Sequence, residues 1–94
     1  MNKVILITGA GTGIGAETAR QLAEGNTLFL HYNQSAEAVK QVAEDVEKRG
    51  GKAILLQADL TTEKACEDLV AALAEKTDHL DVLINNAGIL PPFK

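Results

Sequence analysis

Ninety-four residues allow one small domain and no second, because so short a chain buries only a modest share of the surface its unfolded form exposes. A net charge of −4 without Lys/Arg tracts argues against nucleic acid or an anionic membrane as partner. With 46% hydrophobic and only 3% aromatic residues, any core must be built from Val, Ile, Leu and Ala, which suits buried parallel strands under small helical residues.

The opening residues 1–7 lack the apolar segment and cleavage site of a signal peptide, and nowhere do about 18 apolar residues run together. A soluble, cytoplasmic chain is the expectation. Residues 3–8 form an apolar run closed by Gly9, too short for a helix and rich in branched side chains, which predicts a central strand. From Gly13 the spacing becomes helical, with Ile14, Thr18 and Leu22 flanked by Ala19 and Ala23, until Gly25-Asn26. A second strand is predicted over residues 27–32.

Ser35 is placed to cap a helix whose apolar positions are Val39, Val42 and Val46, with Lys40, Glu44, Glu47 and Lys48 on the wet face. Gly50-Gly51 ends it. Residues 52–58 predict a third strand, and Asp59-Leu60-Thr61 turns into a helix carrying Cys66, Leu69, Val70 and Leu73 on one side. Thr61 or Thr62 would cap it, with Glu63 favourable against the helix dipole. A fourth strand is predicted over 79–84, after which Asn85-Asn86-Ala87-Gly88 turns and Pro91-Pro92 prevents immediate helix. Strands alternating with helices predict an α/β parallel sheet of four strands and three helices.

Thr8-Gly9-Ala10-Gly11-Thr12-Gly13-Ile14-Gly15 lies between the first strand and the first helix, where a phosphate-binding turn has to be. A pyrophosphate is stabilised there by free amides and the partial positive charge of the helix start, provided the backbone can approach closely. Gly9 and Gly13 suit that approach, and Gly15 suits close packing of helix on strand. The glycines fall as Gly-x-x-x-Gly-x-Gly from Gly9, not as Gly-x-Gly-x-x-Gly, and no Gly-Lys-Ser/Thr follows, which excludes a mononucleotide P-loop.

The turn at residues 8–15, combined with Asn85-Asn86-Ala87-Gly88 after the fourth strand, resembles the short-chain dehydrogenase/reductase family, and within it the 3-oxoacyl-acyl-carrier-protein reductase type. The likeness covers nearly all of this chain but only the first part of a complete member, so it implies a Rossmann-like fold cut to half of its doubly wound sheet. It implies that Gly9, Thr12, Gly13 and Ile14 hold the pyrophosphate and adjoining ribose. Asp59 and Leu60 would meet the adenine, and Asn86, Ala87 and Gly88 the ribose nearer the nicotinamide. Thr8 and Asn85 would fasten neighbouring strands. Asp59 as a plain turn former and Asn85-Asn86 as an ordinary turn pair stay open as alternatives.

An NAD-preferring site places an acid about 20 residues past the glycines. Tyr32 and Asn33 stand there instead, and no acid lies between Glu24 and Glu37, which tilts the cofactor toward NADP(H) while NAD(H) stays open. The tilt is small, since Thr12 stands where many NADP-dependent relatives carry Arg and no Lys or Arg follows the second strand before Lys40.

The family's chemistry uses a Tyr-x-x-x-Lys pair, a serine and an asparagine; here the one tyrosine, Tyr32, is followed four residues on by Ala36. No catalytic residue is assignable, and no turnover is expected of this chain alone. Cys66, the single cysteine, excludes an internal disulfide and a Cys-x-x-Cys metal set, and it reads as a small core hydrophobe. His31 and His79 have no ligand-spaced partners and read as surface or strand-end residues, so no metal site is expected. An apolar strand edge at Val82-Leu83-Ile84 would invite self-association through that edge or a helix face. The competing readings are a non-catalytic nucleotide-binding or self-associating module, and a ligand-free gene remnant.

Overall fold

The computed structural model describes residues 2–86. Strands and helices alternate as β1 (Val4–Thr8), α1 (Gly13–Gln21), β2 (Thr27–Tyr32), α2 (Ala36–Lys48), β3 (Lys52–Gln57), α3 (Glu63–Lys76) and β4 (Val82–Asn85). All strand pairs are parallel, in the order β3-β2-β1-β4. β1 and β2, the most continuously apolar segments, take the two interior places and are buried on both faces.

α1 and α2 cover one face of the sheet, over Ile5, Ile7, Leu28 and Leu30, while α3 covers the other, over Val4, Leu6, Phe29 and Leu56. This is the expected Rossmann-like α/β arrangement. β2 lies to one side of β1 and β4 to the other, so the sheet reverses its order beside β1. Ligands of open α/β sheets bind at such a reversal, outside the carboxyl ends of the strands, where the glycine-rich turn leaves β1.

Several local expectations change. α1 buries Gly15, Ala16 and Ala19; of the expected stripe, the flanking Ala19 and Ala23 are core and Leu22 packs at its edge, while Ile14 and Thr18 are not buried. Small residues let the helix lie close on the sheet, whereas Ile14 is 77% exposed and the Thr18 hydroxyl donates back to the Ile14 carbonyl at 2.7 Å. The helix also stops short of Gly25, capped at Leu22, whose carbonyl accepts from the Asn26 side chain. Ser35 holds the N-cap position of α2 but its side chain makes no capping bond, and only its carbonyl accepts from Val39 N–H.

α2 buries Val39, Val42 and Val46 as its spacing predicts. In α3, Thr62 is the cap, accepting from Ala65 N–H at 3.1 Å, and Cys66, Leu69 and Leu73 are buried while Val70 is not. β3 ends at Gln57, one residue before the predicted boundary. β4 runs Val82–Asn85 rather than 79–84, so Asn85, expected in the turn, is the last strand residue and pairs with Thr8, while at the entrance the Asp81 carboxylate accepts from Val4 N–H at 2.7 Å in place of a ladder bond. Ala87, Gly88, Pro91 and Pro92 lie outside the described residues.

Candidate functional site

The turn between β1 and α1 uses left-handed backbone at Gly9 (φ 64°) and Gly13 (φ 53°), which a side chain would strain. Thr12 is the N-cap of α1 in extended conformation, its side chain makes no capping bond, and the first turn holds no acid. The first-turn amides, which have no partner within a helix, are therefore left without a side-chain cap or a neutralising carboxylate. A Cβ placed on Gly13 would meet nothing within 4 Å, so this corner opens to solvent and is not plugged.

Gly9 is held from both sides. Its N–H donates to His31 Nδ1 at 3.0 Å, and its carbonyl accepts from Asn86 Nδ2 at 3.2 Å. Gly15 is required beneath it, since a Cβ there would stand 2.3 Å from the Gly9 oxygen and 2.7 Å from Asn86 Nδ2. Close packing of helix on strand was the expectation for Gly15, and the structure bears it out. Thr8 donates its hydroxyl to Asn85 Oδ1 at 3.0 Å, joining β1 to β4 in the fastening role expected of both residues.

His31, expected at the surface or at a strand end, is the next-to-last residue of β2 but only 2% exposed: the strand-end reading holds and the surface one does not, because it follows Phe29 by two on an interior strand and shares that buried face. With Gly9 N–H donating to Nδ1, the ring proton sits on Nε2 and donates to the Ala58 carbonyl at 2.9 Å. The His31 carbonyl accepts from Ala10 N–H at 2.9 Å. Burial holds the imidazole below its ordinary value, against an opposing effect of the Ala58 bond.

These contacts and the Gln57 side-chain bond to the Asn33 carbonyl (3.0 Å) join the carboxyl ends of all four strands. The candidate residues Gly9, Thr12, Gly13, Ile14, Tyr32, Asn33, Asp59, Leu60 and Asn86 are thus gathered along one rim. Tyr32 is half-buried against the α1–α2 core, while Thr12, Ile14 and Asn33 are exposed. Asp59 is exposed, and its Oδ1 accepts from Thr61 N–H at 3.2 Å, as a turn former does. The Leu60 side chain is buried in the α3-side core. Ala87 and Gly88 lie outside the described residues.

His79 is a surface residue as expected, its Nδ1 2.9 Å from Asp78 Oδ1 and its Nε2 3.4 Å from Asp81 Oδ2. Cys66 is buried, with its thiol directed at the Leu60 carbonyl. Among the described residues no cluster of His, Cys, Asp or Glu could hold a metal ion, and no helix is long and apolar enough to cross a membrane.

The family model for short chain dehydrogenases matches residues 3–94, so this chain belongs to the short-chain dehydrogenase/reductase family. It is 34% identical over 90 residues to the short-chain dehydrogenase/reductase homolog YusS of Bacillus subtilis, covering 95% of this chain and 83% of that one. It is 40% identical to the uncharacterized oxidoreductase YgfF of Escherichia coli, but spans only 36% of that protein's length. Among solved structures, the angucycline C-6 ketoreductase LanV with bound NADP matches with a TM-score of 0.81 at 38% identity, over 93% of this chain and 37% of that one. Acetoin dehydrogenase from Enterobacter cloacae matches with a TM-score of 0.83 at 32% identity, over 94% and 35%. YusS apart, this chain corresponds to about a third of each relative.

Proposed function

We propose that this chain is the nicotinamide-dinucleotide-binding portion of a carbonyl/alcohol oxidoreductase, preferring NADP(H), and that it performs no turnover by itself. The observation that carries the reading is the open corner at Gly13, where left-handed backbone and an uncapped helix start leave room and partial positive charge for a diphosphate. Gly9, Thr12, Gly13 and Ile14 would hold the pyrophosphate and its ribose, Tyr32 and Asn33 the 2′ position, and Asp59 and Leu60 the adenine. Asn86, Ala87 and Gly88 would take the second ribose. NADP bound in the similar LanV structure supports the cofactor class. The motif at residues 8–15 supports the 3-oxoacyl-acyl-carrier-protein reductase type. A single buried cysteine fits a reducing, cytoplasmic setting.

Self-association belongs to the same reading. β4 is an edge strand, and beside it Leu69, Val70, Leu73, Leu80 and Leu83 line an apolar groove of about 330 Å³ that a second copy would cover.

Titration with NADPH and NADH, followed by reduced-cofactor fluorescence, tests the binding claim. Saturable binding, tighter for NADPH and weakened roughly tenfold or more by Gly13→Asp, is the expected result. No binding would favour the ligand-free remnant, and reduction of a ketone by the chain alone would overturn the account of catalysis.

A further inference from the structure

We infer that His31 is a positioning residue for the dinucleotide site, its Nδ1 lone pair fixing the Gly9 peptide and through it the glycine-rich turn; this rests on the binding reading proposed above. The ring is 2% exposed and bridges three strand ends, taking Gly9 N–H on Nδ1 and giving Nε2–H to the Ala58 carbonyl beside Asp59. Asn86 holds the next peptide, donating to the Gly9 carbonyl, so the peptides on both sides of the Gly9 Cα are fixed and neither can turn without losing its bond. An aliphatic side chain would fill the space but take away the acceptor of the part-buried Gly9 N–H.

The two ring nitrogens do different work. Asparagine at this position keeps an acceptor near Nδ1, whereas glutamine keeps a donor near Nε2. A proton arriving at Nδ1 would set two donors against each other, so the turn needs the neutral ring. On the faces around it, β1 carries no titratable side chain, β3 carries only Lys52 at its far end, and Cys66 is the one titratable side chain that α3 buries. Asp59 and the charged residues of α3 are exposed. Burial, rather than a nearby charge, lowers the affinity of the ring for a proton.

NADPH titrations of the unaltered chain, His31→Asn and His31→Gln at neutral pH, with melting curves for each, form the first arm. His31→Asn is expected to bind within about threefold of the unaltered chain and His31→Gln to weaken by about tenfold or more, whatever the order of their melting temperatures. The second arm follows the His31 ring nitrogens and the Gly9 amide by NMR from neutral pH downward. Both signals should move with one common midpoint, and NADPH should shift that midpoint to lower pH. Equal affinity in His31→Gln, or a Gly9 amide indifferent to His31 ionisation, would overturn this inference while leaving the binding reading intact. If glutamine at 31 prevents folding, the NMR arm decides. Absence of NADPH binding by the unaltered chain would overturn the binding reading and the inference with it.

Discussion

Gly15 lies where the missing Cβ matters most, because its place is already occupied by the Gly9 carbonyl and the Asn86 amide. Gly15→Ala must push α1 off β1 or spread the clamp on Gly9, so we predict a loss of about 1–3 kcal/mol in urea unfolding together with weaker NADPH binding. His31 adds a pH dependence. Its folded pKa lies below the unfolded value of 6.5, so the unfolded state takes up more protons between the two. Stability should be full above 6.5 and decline as pH falls through that window. His79 acts oppositely, since the Asp78 hydrogen bond raises its pKa and its stabilisation is lost as pH rises through the folded value. His79 is exposed, so this second effect is small and salt-sensitive. Urea midpoints measured from about pH 8 to 5 should fall on the acid side for the unaltered chain and flatten in His31→Asn.

At the scale of elements, the interior strands β1 and β2 are the most continuously buried. Leu30 of β2 is wholly buried between the sheet and the α1–α2 layer, and Leu30→Ala should cost about 2–5 kcal/mol in chemical denaturation. α1 and α2 are also joined by Arg20, whose Nε lies 2.8 Å from Asp45 Oδ2. The Arg20 hydrogen bond lowers the Asp45 pKa, so this stabilisation is present near neutrality and disappears as acid protonates the carboxylate. β1, β2 and α2 were legible because their apolar residues follow the strand run or the helical spacing. The buried face of α1 was not, since alanines on a closely packed helix carry weaker pattern than Ile14, which the fold leaves exposed. The start of β4 was hidden for another reason: an Asp81 carboxylate bonding a strand amide has no signature in hydrophobic period. Within the site, the glycine turn was readable from residue types and its place between strand and helix, and the Thr8–Asn85 fastening from the family resemblance. His31 was not, because its partners are main-chain groups of Gly9 and Ala58. Its one available signal was its two-residue offset from Phe29 on a strand that had to be interior.

At the scale of the whole molecule, β4 is the outer strand of the sheet among the described residues, with Leu83 43% and Val70 44% exposed beside the apolar groove. We expect the chain to sediment as a dimer or larger species, and Leu83→Lys to shift it toward monomer, whereas a monomer at all concentrations would contradict the proposed pairing. The fold places every candidate ligand contact within the described residues at the carboxyl rim, around the reversal of strand order. The central claim is that the main-chain amides opening α1 receive the diphosphate. Amide chemical-shift mapping on addition of NADP tests it most directly. Saturable shifts centred on Gly9, Gly13, Ile14 and Gly15 are predicted; shifts confined to other surfaces, with these four amides unmoved, would contradict it.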